Sequence, residues 1–464
     1  AMQSSDNTGV VAFTVDFSDI ANNVGAQVTA VANDSDGGVT FDKQAPSFTA
    51  VTIASNNSND ATLAIVNDVI TLTLTSDEAI KTGTDPTITV NGNTATVTRN
   101  STTSFTATYS MSSPADDAID GSSIPINISS FTDATGNAGT TITATTDGSA
   151  VTYDNTLPTL GTVTISSNNT YGHLAAETDL VSLTIVSSEN INTPTVSMLG
   201  STADVTVTQG ANASNWTAVK TVTGGHSDGT AAFNIQFTDL AGNSGAAVTS
   251  LTGGDDPVTV DKTDPTITTA SIASNNGSGD ELAVPGNIIT LTIVSNEDIV
   301  EPTVTIATQT AAVAIGANAQ NWTATYTMTE NESNGTIPFS IAFLDSAGNN
   351  GVTQTALAND ADGNNVNYDK SQPVLSNVTL TTDNAFNNAY AKSGSVVTLA
   401  FDSNEELLTS SVDITINSVA RTASKSLSWN GTKESWVATY TMTDATDDNG
   451  GAGFAVPFSV DYVD

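Results

Sequence analysis

The sequence of 464 residues contains no cysteine, which excludes disulfide bonds and cysteine-ligated metal sites. It also has few positive charges: 10 lysines and arginines oppose 49 aspartates and glutamates, and the formal net charge is −39. A polyanion of this kind repels nucleic acid and anionic membrane surfaces, so we expect neither as a partner. The sequence has no apolar run long enough for direct insertion into a membrane.

Residues suited to catalysis are scarce too. The chain has two histidines, His173 and His226, which lie far apart in the sequence. It contains no Gly-x-Ser-x-Gly elbow, no phosphate-binding loop and no His-rich metal spacing. Pairs of carboxylates are common, but in so acidic a chain they are weak evidence for glycosidase chemistry. We therefore expect no enzymatic activity.

Helical periodicity is absent as well, whereas residues typical of strands and turns are abundant. Thr, Ser, Asn, Ala and Val dominate, and apolar residues make up 38% of the chain. That apolar content is too high for general disorder. The composition favours strands joined by turns, and the length suits several domains.

Four sequence markers recur in the same order along the chain. The first is a linker that contains Asp and ends in Pro, as in "VDKTDP" (260–265). The linker aspartates are 112, 107 and 108 residues apart: Asp42, Asp154, Asp261 and Asp369. The second is an alternating strand that ends in an acid, as in "ITLTIVSNE". The glutamates that end these strands are Glu78, Glu189, Glu297 and Glu405.

The third marker is a strand with an aromatic residue, as in "NWTATYTM" (321–328), and the fourth is an acidic turn. The turn reads "FTDATGNAG" at 131–139, "FTDLAGNSG" at 237–245 and "FLDSAGNNG" at 343–351, with a looser copy, "FSDIANNVG", at 17–25. A period near 108 residues exceeds any solenoid repeat and matches one complete β-sandwich.

Alternation within the markers favours an all-β fold of tandem immunoglobulin-like β-sandwich domains. In "ITLTIVS" the apolar residues Ile289, Leu291 and Ile293 share one face, and threonines occupy the other. We predict a partial domain at 1–43, complete repeats at 44–155, 156–262 and 263–370, and a repeat that lacks its last strand at 371–464. The linker prolines and the absence of flexible spacers predict an end-to-end, semi-rigid rod.

The incomplete end segments allow two interpretations. Either the chain is a window from a longer protein, or residues 1–43 of one molecule complete the last repeat of the next, which would make the protein a head-to-tail strand-complemented fibre subunit. Residues 13–19 duplicate the role of 458–464, and this overlap counts against strand exchange.

The "SNE" strand end, the "DLAGNSG" turn and the "VDKTDPTIT" boundary together resemble the immunoglobulin-like repeats of large secreted bacterial and archaeal surface proteins, such as adhesin stalks and surface-layer proteins. The resemblance extends over the whole chain. It implies an extracellular location at the cell surface and calcium at or near domain junctions, but it does not specify the protein's role.

The repeated acids provide candidate ligands for that calcium, which binds six to eight hard oxygen atoms. The linker aspartate, the strand-end glutamate and the acidic turn could meet at one end of each sandwich. The turn aspartates are Asp133, Asp239 and Asp345. The alternative is that Asp, Asn and Gly serve only as turn residues there.

Two further loops carry Asp-x-Asp-Gly and add four candidate ligands: Asp34, Asp36, Asp360 and Asp362. An EF-hand is excluded, because no helix flanks these loops and no Glu occupies position twelve.

Three functions remain open. The first is a structural rod in a surface layer, stalk or filament, whose partners are copies of itself or adjacent immunoglobulin-like domains of the parent chain. The second is a module that binds a glycan or a cell-surface protein. An exposed aromatic cluster confined to one repeat would favour it, and "SLSWNGTKESW" (426–436) is a candidate. The third is an accessory part of an enzyme whose catalytic unit lies outside this chain.

Overall fold

In a computed structural model of the chain, the described residues are 1–31, 38–359, 363, 365–407, 411–417, 419–421, 424–426, 434–443 and 455–462. Their regular structure is β apart from short 3₁₀ turns, as at Asp117–Ile119. None of these residues belongs to a helix with the length and apolarity needed to span a membrane. Near the N-terminus, Gly9–Val10 pairs with Thr40–Phe41.

The chain divides into two compact units. The first contains residues 1–263 together with 346–349, and the second contains 264–345 together with 350–464. Among the described residues, each unit holds two separate hydrophobic cores. Those of the first unit lie at 48–153 and 163–260, and those of the second lie at 270–368 and 397–440.

The first complete repeat shows the plan of the fold. A four-stranded antiparallel sheet pairs Phe48–Ser55, Val69–Ser76, Ser104–Ser110 and Thr96–Arg99, in that spatial order. The other sheet contains Ile126–Ser129, Thr87–Val90 and Asn93–Thr94. Short strands close one end of the sandwich: Leu63–Ala64, Ser122–Ser123 and Thr152–Tyr153.

The remaining strands repeat this plan. Those of the second repeat are Leu160–Ser167, Leu174–Ala175, Leu180–Ser187, Thr195–Met198, Thr206–Gln209, Asn215–Thr221, Gly229–Thr230, Phe233–Gln236 and Thr259–Val260. Those of the third are Ile267–Ser274, Leu282–Ala283, Ile288–Ser295, Thr303–Ile306, Gln309–Thr310, Ala312–Ile315, Asn321–Thr327, Gly335–Thr336, Phe339–Ala342 and Asn367–Tyr368. Those of the last are Leu375–Thr382, Val396–Ser403, Asp413–Ile416, Val419–Arg421, Ser424–Ser426, Glu434–Thr441 and Phe458–Asp461.

Alternating side chains form the cores, as the sequence pattern predicts. In the strand Val69–Ser76, Ile70, Leu72 and Leu74 are fully buried, while the threonines between them face outward. The aromatic residue of the third marker is buried in all four copies: Phe105, Trp216, Trp322 and Trp436. These residues therefore pack between the sheets.

The chain is thus an all-β protein built from tandem immunoglobulin-like β-sandwiches, which confirms the predicted fold class. The boundaries of the five predicted segments stay predictions.

Candidate metal centre

The acidic turn is a tightly packed structure. In its first copy the backbone N–H of Gly139 donates to the carbonyl of Phe131, and the Phe131 ring lies where a Gly139 side chain would be. A Cβ built on Gly139 would come within 1.9 Å of that ring. Gly136 has a φ of +98°, a conformation that glycine adopts without strain. The spacing of Phe and the two glycines in the motif therefore follows from packing and backbone conformation.

Asp133 holds this turn together from inside. It is 2% exposed, and its Oδ1 accepts backbone N–H groups of Thr135, Gly136 and Asn137, while its Oδ2 accepts the Asn137 side-chain amide. Although burial works in the opposite direction, these hydrogen bonds lower the pKa of Asp133. Asp133 is therefore a turn-forming residue, and its Oδ2, which accepts one of these bonds, retains a lone pair that a cation could use.

The second copy has the same arrangement. Asp239 is 1% exposed, and its Oδ1 accepts the N–H groups of Gly242 and Asn243. The amide of Asn243 donates to Asp239 Oδ2.

The strand-end glutamate is positioned by a buried serine two residues earlier. Ser76 Oγ donates to the backbone carbonyl of Glu78 at 2.6 Å, and Ser295 Oγ donates to that of Glu297 at 2.5 Å. Ser187 and Ser403 make the same bond in their repeats. This bond turns the chain out of the sheet directly after the strand, which explains the Ser-x-Glu pattern of the second marker.

The linker aspartate follows the last short strand of each sandwich. Its Oδ1 accepts the backbone N–H two residues further on, at 2.9 Å for Asp42 and 3.1 Å for Asp154. Asp261 and Asp369 accept the equivalent bond. This local turn fixes the side chain at the start of the following repeat.

In the first unit the three kinds of acid meet twice. One carboxylate oxygen each from Asp42, Glu78 and Asp133 lies within 4.8 Å of the other two. The second cluster is formed in the same way by Asp154, Glu189 and Asp239. In both clusters the turn aspartate is buried and the other two acids are partly buried. Each cluster combines the linker acid of one predicted segment with two acids of the next.

The clusters are electrostatically unfavourable as they stand. Burial, followed by the charges of Asp42, Asp133 and Asp77, raises the pKa of Glu78. Burial, then the charges of Asp154, Asp239 and Asp120, raises the pKa of Glu189 in the second cluster. Glu78 Oε1 is also buried and has no hydrogen-bond partner among the described residues. A buried, unsatisfied carboxylate oxygen beside two other acids suits a bound cation.

Two lysines adjoin the linker aspartates and bond to backbone carbonyls. Lys43 and Lys262 each directly follow a linker aspartate, yet their Nζ atoms donate to backbone carbonyls, those of Asp6 and Gly224 respectively. Arg99 forms an ion pair with Asp85, which belongs to neither cluster. The ammonium groups of these two lysines are therefore directed at backbone carbonyls and not at the carboxylate clusters.

Asparagines connect the acidic turn to the residues around it. The Asn243 side-chain amide donates to the backbone carbonyl of Asp154 at 3.0 Å. On the other side of the turn, Asn57 donates to the carbonyl of Ala241 at 2.8 Å and to Asp68 Oδ2 at 2.7 Å. The turn of the second repeat is thus hydrogen-bonded to a loop and to the linker of the first.

The same two contacts occur a second time within the first unit. Asn169 donates to the carbonyl of Ala347 at 2.7 Å and to Asp179 Oδ2 at 2.8 Å. Asn349 donates to the carbonyl of Asp261 at 3.0 Å. Sequence reasoning missed these asparagines, because in an Asn-rich chain they resemble ordinary turn residues. The recurring "SNN" after the first strand of a repeat was the available signal.

The other predicted ligands are placed as follows. Asp261 lies in the first unit, while Glu297 and Asp345 lie close together in the second, with a carboxylate oxygen of each within 4.8 Å of the other. Asp369 accepts a hydrogen bond from the Asn334 amide, and Glu405 follows the strand Val396–Ser403. Asp34, Asp36, Asp360 and Asp362 lie outside the described residues.

The donors present fit calcium better than magnesium or a transition metal. Three carboxylates form a set of hard oxygen ligands, without nitrogen or sulfur. Ca²⁺ accepts irregular geometry and a high coordination number, which suits carboxylates whose positions are set separately by a turn, a strand end and a linker.

Comparisons with known proteins add little to these structural observations. No family model matches the chain, and no curated protein matches it. It is similar to the solved structure of a marsupial T cell receptor, with 11% identity over 66% of this chain and 100% of the other and a TM-score of 0.27. It is also similar to that of the mouse nectin-like molecule 4 ectodomain, with 12% identity over 64% of this chain and 96% of the other and a TM-score of 0.23. For the full extracellular region of plexin A4 the identity is 9%, the coverage 82% of this chain and 34% of the other, and the TM-score 0.19. These values are too low to bear on activity or partners.

Proposed function

We propose that this protein is a non-catalytic structural protein of the cell surface, in which calcium at the joints stiffens a rod of immunoglobulin-like repeats. The observation that carries the proposal is the repeated cluster of three acids in the first unit, with Glu78 Oε1 buried and unsatisfied in one of them. Each cluster takes one carboxylate from one segment and two from the next, so a cation bound there would join the segments.

The hydrogen bonds around the turn support the same role. Asn57 and Asn243 join the acidic turn of the second repeat to the first repeat from two sides. These bonds limit the angle between the two repeats even without a cation. Calcium would add a charged clamp and remove the repulsion among Asp154, Glu189 and Asp239.

The charge of −39 supports an extracellular setting. Such a chain remains soluble where salt or divalent cations screen it, and extracellular calcium is plentiful enough to occupy sites of modest affinity. A surface layer, an adhesin stalk and an extracellular filament all need a repeated, stiff spacer of this kind. Neighbouring copies of the chain or adjacent domains of its parent protein are the partners that fit such a spacer.

Thermal unfolding and small-angle X-ray scattering, each in calcium and in excess EDTA, test the proposal. Saturation at a hundred times the Kd adds about 2.7 kcal/mol to the free energy of unfolding. For a domain near 100 residues this raises Tm by roughly 10 °C or more. We expect that rise together with a longer maximum particle dimension. Overlaying curves in both experiments would refute calcium-dependent stiffening.

A second candidate function is glycan binding by the last repeat. Phe386 is 95% exposed and Tyr390 is 64% exposed, and both lie in the loop between the strands Leu375–Thr382 and Val396–Ser403. Asn384 holds both: it accepts the Phe386 N–H and donates to the Tyr390 carbonyl. Exposed aromatic rings with fixed backbones suit stacking against sugar rings. The tryptophan of the "SLSWNG" segment lies outside the described residues.

A glycan array probed with the whole chain and with the double variant Phe386→Ala, Tyr390→Ala tests this candidate. Tyr171→Ala is the matched control, because Tyr171 is an exposed aromatic residue in the corresponding loop of the second repeat. Binding that is lost in the double variant and kept in the control would support glycan recognition. The absence of any binding by the unmodified chain would remove this candidate.

A further inference from the structure

Acidic residues are excluded from the sheets of the three complete repeats. Across the described strands from Phe48–Ser55 to Asn367–Tyr368 there is no Asp or Glu, and the two charged residues found there, Arg99 and Lys220, are partly or fully buried. The many acids of these repeats lie in loops, turns and linkers. In a protein with a net charge of −39, the outward faces of these sheets are therefore neutral.

The outward face of each four-stranded sheet carries an ordered row of small residues. In the first repeat, Thr52, Thr73, Thr106 and Thr98 are direct neighbours across the four strands. The second repeat has the same row in Thr164, Thr184, Thr217 and Thr208. In the third repeat the row is Ser271, Thr292, Thr323 and Ala314.

Strand geometry alone does not explain the missing acids. The last repeat has the same four-stranded sheet, yet its strands contain Asp402, Asp413, Glu434 and Asp461. Asp402 lies in the central strand Val396–Ser403, where it accepts hydrogen bonds from Asn377 and Ser435. The fold thus accepts a carboxylate at this position, and the low strand propensity of Asp does not forbid it.

We propose that the threonine faces of the three complete repeats are contact surfaces for a second copy of this chain. Two polyanions approach closely only where neither presents like charge, and these sheet faces meet that condition. A hydroxyl group both donates and accepts hydrogen bonds, so a face of threonines is complementary to itself. A self-complementary face suits the symmetric contact between identical subunits.

The size of each face indicates how strong the contact is. Four strands of seven or eight residues cover roughly 450 Å², from the usual spacing between strands and rise per residue. A stable interface buries about 800 Å² per partner. One repeat therefore gives a weak contact, and association becomes stable when two or more repeats of one copy engage. This inference goes beyond the proposed rod and does not require calcium.

Sedimentation velocity of the whole chain, in EDTA and at constant ionic strength over a range of concentrations, provides the test. The face variant carries Thr73→Asp, Thr184→Asp and Thr292→Asp, which place one carboxylate on each exposed face. The matched control carries Ala144→Asp, Ser250→Asp and Ala356→Asp at exposed positions outside the strands, so that both variants have the same net charge. Thermal unfolding verifies that both are folded.

We expect the unmodified chain and the control to associate as concentration rises, and the face variant to need at least a tenfold higher concentration. A second face variant, with Lys at the same three positions, should also associate poorly on its own. It should associate when it is mixed with the Asp variant. That recovery would demonstrate contact between like faces.

Three results would overturn the proposal. The unmodified chain could remain monomeric at every concentration, or the control could lose association as fully as the face variant. Association could also survive in the face variant but disappear in Val15→Asp, Phe17→Asp. Val15 and Phe17 are exposed apolar residues of the first segment, so this last result would assign the contact to strand exchange through residues 1–43. Because EDTA is present throughout, failure here is separate from failure of the calcium proposal.

Discussion

The side-chain amide of Asn57 donates a hydrogen bond to the backbone carbonyl of Ala241, 184 positions further along the chain. Ala241 is 1% exposed, so its neighbourhood is shielded from water. The same amide holds Asp68, which in turn accepts the N–H of Ile65. One asparagine thus connects a loop of the first repeat to the acidic turn of the second.

Replacing Asn57 by Ala should weaken the contact between the first and second complete repeats, which we call a joint. A hydrogen-bonding group that is shielded from water and loses its partner costs about 1–3 kcal/mol. The Ala241 carbonyl loses the Asn57 donor, while Asp68 loses one donor and keeps the N–H of Ile65. We expect a lower Tm for the first unit and a broader distribution of particle dimensions in small-angle scattering. Asn276→Ala is the matched control, because Asn276 has the corresponding position in the third repeat and is bonded to Asn287 within that repeat. Equal effects of both substitutions would contradict a role of Asn57 in the joint.

Removing the charge of the strand-end glutamates should have opposite effects with and without calcium. The double variant Glu78→Gln, Glu189→Gln eliminates the repulsion in both clusters, so in EDTA its Tm should equal or exceed that of the unmodified chain. In calcium it should lose most of the rise in Tm that the unmodified chain shows. Glu177→Gln, at an exposed position outside the clusters, should keep that rise. A variant that still gains the full rise would show that calcium binds elsewhere.

The clusters also predict an unusual dependence on pH. The pKa values of Glu78, Glu189 and Asp154 are raised in the folded protein, chiefly by burial. An acid whose pKa is higher in the folded state favours unfolding when it is ionised, and this penalty disappears as pH falls through the raised pKa. Without calcium, stability should therefore increase as the pH is lowered from 7 towards about 5.

At still lower pH, stability should instead decrease as the pH falls. Asp133 has a lowered pKa in the folded protein, and the stability that it contributes above its unfolded value is lost as the pH falls through its folded value. Calcium should also reverse the trend above pH 5, since protons then compete with the bound cation. Thermal unfolding at a series of pH values, in EDTA and in calcium, measures both effects. A Tm in EDTA that decreases steadily from pH 7 to 5 would contradict the raised pKa values of the clustered acids.

The close packing of Phe131 on Gly139 predicts a steric effect. In Gly139→Ala the new Cβ would overlap the Phe131 ring, and overpacking of this kind costs about 1–3 kcal/mol. We expect a clear fall in Tm of the first unit. Gly161→Ala is the control: its Cβ would meet no atom closer than 4.0 Å, so its Tm should be unchanged or slightly higher. An unchanged Tm in Gly139→Ala would show that the turn can shift away from the ring.

The fold was predictable because every structural requirement recurs in the sequence. Four copies of an alternating strand indicate the buried face directly, and the buried Phe105 and Trp216 follow from that pattern. The sequence analysis also inferred that the linker, strand-end and turn acids lie close together. The strand-end and turn acids follow strands of one repeat, and the linker acid ends the segment before it.

The joint itself could not be predicted from the sequence. The bond from Asn57 to Ala241 links residues far apart in the chain, and no local pattern distinguishes Asn57 from its neighbour Asn56, whose side chain instead accepts the N–H of Val69 within its own repeat. The sequence also left the turn aspartates as either ligands or turn residues. The structure gives Asp133 the second role without removing the first, because its oxygens are bonded to the turn and still lie beside Asp42 and Glu78.

The division of each joint between two repeats has a consequence for how such a protein changes in evolution. The first complete repeat contributes the linker aspartate Asp154 and the loop asparagine Asn57, and the second contributes the turn aspartate Asp239 and the strand-end glutamate Glu189. A repeat that carries both sets of residues can therefore join another repeat of the same kind. Duplication or loss of one whole repeat changes the length by one module and recreates a complete joint, so reach can be adjusted without a new interface.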